Sequence, residues 1–305
     1  MVVKNGSKVF TNRPYSPIPY FGGKSYLVKV ILPLIPKHKT YVEVFGGAGN
    51  ILFAKDPMIS DIEVYNDIDG NLVNFFKVLQ DPEKFELFYR KVVFTPHSRQ
   101  MWKEAKMSYE EGDEIERAYK FFVSVSQSFS GAGSWSYSIN TSNKHMSERT
   151  SAWIGRIEKL PLWHERIMRV QIENDSFEKI IERYDTPNTF FYLDPPYIHD
   201  ARSSNERYNY EMTNEQHELL VDILLQIKGK AILSGYHHKI YDRLLENGWH
   251  IIYKVLSLNA TRSKGQKRQQ RVECIYLCPK TASELKEEDI FKAQEVFYAP
   301  QKGED

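Results

Sequence analysis

Short apolar runs closed by Gly, Asn, Asp or Pro recur along the chain and predict strands: YVEVF (41–45), IEVYN (62–66), FFYL (190–193), AILS (231–234), IIYKVL (251–256) and ECIYL (273–277). Helical periodicity separates most of them, and that rhythm predicts an α/β fold with a Rossmann-like doubly wound sheet. Between residues 80 and 170 the strand signal fades. There Ala118, Phe121, Phe122, Val125 and Phe129 are spaced to share one helix face, which is most simply a core stripe. The expected organisation is a sheet domain built from residues 1–80 and 170–282, a mostly helical insertion over 81–169, and a C-terminal tail over 283–305. No internal repeat or low-complexity linker interrupts this pattern.

Composition narrows the class. A chain of 305 residues with 41% hydrophobic and 13% aromatic content can bury a full core. Its 41 basic and 40 acidic residues nearly cancel, which excludes a polybasic coating protein and leaves any nucleic-acid groove to local charge placement. No apolar run approaches the roughly 20 residues of a membrane span, and the N-terminus lacks an apolar signal core, so a cytoplasmic location is expected. Cys274 and Cys278 lie close together in one apparent strand with no second pair to complete a zinc site. They read as reduced thiols, and no metal is expected.

The chemistry concentrates where strands end. In FFYLDPPYIHD, Pro195 and Pro196 cannot donate to a sheet ladder, so the strand stops at Asp194, at the carboxyl edge where open α/β sheets bind ligands. In VEVFGGAGNILFAK (42–55), a strand runs into Gly46, Gly47 and Gly49 before a helical pattern, a turn that lets a ligand approach the backbone. The spacing is neither a P-loop nor a good GxGxxG, and a tight structural turn would use the same glycines. Asp67, in EVYNDIDGNL, ends the next strand, where an acid can accept the ribose hydroxyls of an adenosine-type cofactor; Asp67 or Asp69 could instead cap the following helix. In PIPYFGGKSYLVKVILPLIP (17–36), Tyr20, Phe21, Gly22, Gly23 and Lys24 precede an amphipathic pattern, and glycines with a lysine at a helix start suit an anion.

YFGGK, FGGAGN, YNDID and DPPY, in this order, resemble the Dam-like, D12-class DNA adenine methyltransferases, most closely the phage and prophage branch, from about residue 17 to 279. The resemblance implies a class I S-adenosylmethionine-dependent methyltransferase fold and methylation of the exocyclic 6-amino group of adenine in double-stranded DNA. It implies that the segment between the two halves recognises the target, and it makes a restriction endonuclease a candidate partner system. Tyr20, Gly23 and Lys24 match cofactor-contacting positions; Glu43, Phe45, Gly46, Gly47, Ala48 and Gly49 match the loop on the methionine side; Asp67 matches the ribose-binding acid. Asp175 with Phe177 falls near the acid-x-aromatic motif flanking the cofactor adenine, with Glu173 as the alternative. The chain departs from the pattern at Ser126 and Gln127, where many relatives carry Asn-Arg, and at Pro19, which replaces a frequent lysine. GATC recognition is therefore not implied.

Under this resemblance the DPPY corner has a chemical purpose. The lone pair of an aromatic amine is delocalised into its ring; an acceptor at Asp194, with the carbonyl of Pro195, would hold both N–H bonds and free it, by orientation and electrostatics alone. Tyr197 would stack on the flipped base while Pro195 and Pro196 fix its relation to the carboxylate, and the ring is expected to matter more than the hydroxyl. The segment NATRSKGQKRQQRVE carries Arg262, Lys264, Lys267, Arg268 and Arg271 between two apparent strands and would track phosphates, unless it is a solvated loop. FFVSVSQSFSGAGSWSYS (121–138) suits a loop that contacts a distorted duplex. Three readings stand at this point: the adenine methyltransferase, a related enzyme acting on cytosine or RNA, and an idle binding module of the same fold.

Overall fold

The structure is a computed structural model that describes residues 16–20, 23–131, 133–198, 210–257 and 270–298. In chain order its main elements are α1 (Val28–Ile31), β1 (Thr40–Glu43), α2 (Asn50–Ala54), β2 (Ile62–Asn66), α3 (Gly70–Gln80), α4 (Pro82–Val93), α5 (Arg99–Met107), α6 (Glu114–Ser126), α7 (Glu148–Ile157), α8 (Leu160–Ile167) and β3 (Val170–Glu173). They continue with α9 (Phe177–Tyr184), β4 (Thr189–Leu193), α10 (Asn214–Gln226), β5 (Lys230–Tyr236), α11 (Lys239–Glu246), β6 (His250–Ser257), β7 (Gln270–Leu277), α12 (Pro279–Glu284) and α13 (Glu287–Tyr298). The expected α/β class holds, as a mixed seven-stranded sheet with helices between the strands. Two compact units share the chain: Met1–Tyr26 with Gly46–Ser176, and Leu27–Phe45 with Phe177–Asp305.

In the first unit β2 and β3 pair in parallel, Asn66 opposite Glu173. β3 is a strand that the hydrophobic pattern does not reveal: VQIE is short, and one face carries Gln171 and Glu173. The helices of this unit share an aromatic core in which Phe75 stacks on Phe122 at 5.7 Å and Phe88 meets Phe122 edge-on at 5.6 Å. Ala118, Phe121, Phe122 and Val125 are buried as the helical spacing requires. Phe129 is a correction: α6 ends at Ser126, Phe129 opens a separate turn, and its ring is 60% exposed. A buried ion cluster braces β2, where Glu63 accepts both guanidinium arms of Arg166 at 2.7 Å and pairs with Lys55 at 2.6 Å.

In the second unit the strand order is β1-β4-β5-β7-β6; β1, β4 and β5 are parallel, and β7 runs antiparallel to both its neighbours. All five residues of β4 are buried, as a strand covered on both faces should be. Cys274 lies in β7, whereas Cys278 belongs to no strand and caps α12 with its thiol; both are buried and neither forms a disulfide. The segment expected to form a tail contains α13, which packs against β6 and α1. Among the described residues no helix is long and apolar enough to cross a membrane.

Candidate active site

In the first unit the glycine turn is stitched to the end of β2: Gly46 N–H donates to the Asn66 carbonyl at 2.7 Å, and the Tyr65 hydroxyl donates to the Gly47 carbonyl at 2.7 Å. A Cβ on Gly46 would lie 2.2 Å from the Tyr65 ring, so the close approach requires glycine. Gly47 (φ +49°) and Gly49 (φ +69°) are left-handed. The Ser16 hydroxyl holds the Ala48 carbonyl at 2.6 Å. Around Gly47 the space is open, with the edge of the Tyr20 ring 3.8 Å from where a Cβ would stand.

The capping role weighed for the acids of YNDID falls to Asp69. Asp69 caps α3, accepting from the Asn71 and Leu72 N–H groups, and also takes the Tyr20 hydroxyl at 3.0 Å. Asp67 instead ties the end of β2 to the glycine turn, accepting Gly47 N–H at 2.8 Å on Oδ2 and Asp69 N–H at 2.9 Å on Oδ1. Burial raises its pKa to about 6 against the opposing pull of these backbone N–H groups. The backbone N–H of Ile68 also bonds this carboxylate, so three backbone donors share its roughly four lone-pair sites. An open, side-chain-free turn beside a half-buried acid fits a ribose-bearing cofactor.

Other matched positions are structured as follows. Asn66 exchanges two bonds with the backbone of Asp175, its amide donating to the carbonyl at 3.0 Å and its oxygen accepting the N–H at 2.9 Å. Lys24 is buried and Gly23 N–H closes a turn on the Tyr20 carbonyl. Lys24 does not stand at a helix start, because α1 begins only at Val28 and is a single turn, so no helix N-terminus is offered to an anion at Lys24. Gln127 is buried, accepting Ser98 N–H and donating to the Pro96 carbonyl, each at 3.1 Å.

In the second unit Phe45 and Phe177 meet at 5.7 Å, and Glu43 is buried where it accepts the Tyr41 hydroxyl at 2.8 Å. Asp194 follows β4 directly. The Ser234 hydroxyl of β5 donates to its Oδ1 at 3.0 Å, and the Tyr192 hydroxyl lies 3.1 Å from that same serine oxygen. Pro195, Pro196, Tyr197 and Ile198 line a small pocket with Gly235, Tyr236 and Tyr241. The Tyr197 ring stacks on Tyr236, centroids 4.1 Å apart and planes 15° apart. Its hydroxyl, which the sequence made dispensable, donates to Glu273 Oε1 at 2.6 Å.

Ser234, Tyr236 and Glu273 escape a motif reading; the available signal is three polar-tipped residues in the otherwise apolar strands β5 and β7. Arg262, Lys264, Lys267 and Arg268 lie outside the described residues. Of Arg271 the backbone alone is described, paired in β7 with Leu256.

Among solved structures, a precorrin 8W decarboxylase from Methanobacterium thermoautotrophicum is similar with 13% identity and TM-score 0.34, covering 89% of this chain and 97% of its own. An rRNA methylase from Streptococcus thermophilus is similar with 7% identity and TM-score 0.32, covering 83% and 95%. No curated protein matches. The family model described as D12 class N6 adenine-specific DNA methyltransferase matches residues 20–264, a span from Tyr20 through the glycine turn and Asp67 to DPPY. Adenine in DNA thereby prevails over the cytosine, RNA and idle-module alternatives: the chain belongs to the D12 class N6 adenine-specific DNA methyltransferases, which use S-adenosylmethionine.

Proposed function

We propose that Asp194 and the Pro195 carbonyl accept the two N–H bonds of the adenine 6-amino group, and that Tyr197 stacks on the base after it leaves the duplex. The observation that carries this reading is the Ser234 hydroxyl on Asp194 Oδ1, which fixes the carboxylate at the carboxyl edge of the sheet in advance. S-Adenosylmethionine, when bound, supplies an electrophilic methyl group. The chain's own residues orient the amine, exclude water and hold its protons, so that its lone pair is directed outward at the moment of transfer.

Asp67 takes the cofactor ribose in this reading, the Gly46–Gly49 turn accommodates the methionine side, and Asp175 with Phe177 flanks the cofactor adenine. The helical segment 81–169 serves target recognition, and Arg262, Lys264, Lys267, Arg268 and Arg271 contact phosphates. Gln127, spent on the Pro96–Ser98 backbone, is not a base reader. We assign the chain to the phage and prophage branch, on the resemblance of its motifs. Single-turnover transfer of labelled methyl to duplex DNA, followed by nucleoside analysis, tests the reading. Label in N6-methyladenine that vanishes with folded Asp194→Ala supports it; undiminished transfer by that variant overturns it.

A further inference from the structure

We propose that Glu273 is a positioning residue for methyl transfer: it holds Tyr197 by its hydroxyl while Tyr236 backs the ring, so that one face of Tyr197 is presented to the flipped adenine. The proposal rests on Tyr197 being the stacking residue. Tyr236 and Glu273 are direct cross-strand partners on β5 and β7. From that single register position one neighbour covers a face of the Tyr197 ring at 4.1 Å and the other binds the hydroxyl at 2.6 Å. Two independent contacts, a stack and a short hydrogen bond, fix both the plane of the ring and its rotation within that plane. A base can then use only the face opposite Tyr236.

Burial makes the arrangement costly to keep without a purpose. Glu273 is fully buried, and a buried carboxylate is expensive unless hydrogen-bonded and compensated. Its partner across β6 is Lys254, whose ammonium pKa is lowered by burial and partly restored by the charge of Glu273. A leucine would fill the position at lower cost to folding. A carboxylate here serves the hydroxyl of Tyr197, and through it the orientation of the stacking surface; small errors in such a surface cost rate, because displacements near 1 Å in a reacting geometry reach about a hundredfold.

The test pairs single-turnover methyl transfer with a duplex carrying 2-aminopurine at the target position, whose fluorescence reports a base out of the stack. Glu273→Leu is expected to slow transfer by roughly tenfold to a hundredfold and to shift the 2-aminopurine signal, with affinity for S-adenosylmethionine unchanged. Glu273→Gln keeps an acceptor oxygen and is expected to return most of the rate. Tyr197→Phe breaks the same hydrogen bond from the other side without disturbing position 273. Its loss is expected to match that of Glu273→Leu, and the double variant should be no worse than either single one, as coupled partners behave. A folded Glu273→Leu with wild-type rate and fluorescence overturns the proposal, as does Glu273→Gln failing as badly as leucine. If instead Tyr197→Ala leaves rate and fluorescence intact, it is the stacking role of Tyr197 that falls, and this proposal with it.

Discussion

Gly47 N–H donates to the carboxylate of Asp67, twenty residues further along the chain, at 2.8 Å. The bond makes Asp67 the latch of the glycine turn, and in the proposed reading the same acid takes the cofactor ribose; its raised pKa, about 6, gives those two roles opposite pH dependence. Between the ordinary aspartate pKa near 4 and the folded value, the native protein holds a proton that the unfolded chain has lost. Asp67 therefore destabilises the fold progressively as pH rises through that window, and its effect is constant above it. In that reading cofactor binding needs the carboxylate and moves the other way. Affinity for S-adenosylmethionine should be flat above pH 7 and weaken by up to about tenfold per unit below the folded pKa. Titration calorimetry from pH 5 to 8 checks this: Asp67→Asn should bind more weakly at pH 8 and lose the acid dependence, and an unaltered pH profile in the variant refutes the ribose role.

The glycines of the turn are not equivalent. Gly46 faces the Tyr65 ring, which is buried, packed at 4.7 Å on Phe76 and tied to Gly47 by its hydroxyl, so the ring cannot move aside. Gly46→Ala should cost about 1–3 kcal/mol by overpacking and weaken cofactor binding. Gly47 has open space and a left-handed φ, so Gly47→Ala should cost about 1–2 kcal/mol through backbone strain alone. Urea denaturation ranks the two; a larger loss at Gly47 would contradict the packing argument.

Glu63 pairs with two buried cations, Lys55 and Arg166. Removing it with Glu63→Gln should cost about 3–5 kcal/mol, since both cations remain out of water. Burial already lowers the Lys55 pKa, with Glu63 holding it up, and the variant should lower it further. Over the pH range where the folded variant has released that proton and the unfolded chain retains it, stability rises with pH. Denaturation midpoints of the variant should therefore recover toward alkaline pH, more than those of the wild type.

What the sequence discloses depends on whether the cause is local. The strand ending at Asp194 is legible because five buried residues of β4 meet two prolines that cannot extend the ladder. The glycine turn is legible for the same kind of reason, as a break between two periodicities. β3 is hidden because a four-residue strand with polar Gln171 and Glu173 shows no apolar run. The end of α6 is misjudged at Phe129 because spacing continues past the point where the backbone stops. Asp67 and Asp69 are both visible as acids, yet which one caps α3 depends on a bond to Gly47 from a distant turn. Glu273 is the extreme case: its partner Tyr197 is 76 residues away, and no local pattern marks an acid in a strand as the anchor of a tyrosine.

The last prediction separates the carboxylate's chemistry from its placement. Asp194→Ala removes the acceptor but leaves Asp67 and the glycine turn untouched, so cofactor affinity should remain within about twofold while single-turnover transfer falls at least 10²–10³-fold, the usual loss for a preorganised polar partner of a reacting group. Ser234→Ala keeps the carboxylate and removes the hydroxyl that donates to its Oδ1. It should lose less, about tenfold, because the oxygen can still accept from the amine once turned to face it. It should also cost the Tyr192 hydroxyl the serine oxygen 3.1 Å away, with a stability loss of about 0.5–1.5 kcal/mol for one hydrogen bond. Transfer rates, binding isotherms and denaturation midpoints on the two variants give the discriminating pattern. If Ser234→Ala were as inactive as Asp194→Ala while folded, the serine would have a direct part in transfer; if Asp194→Ala kept its rate, the amine would be held elsewhere.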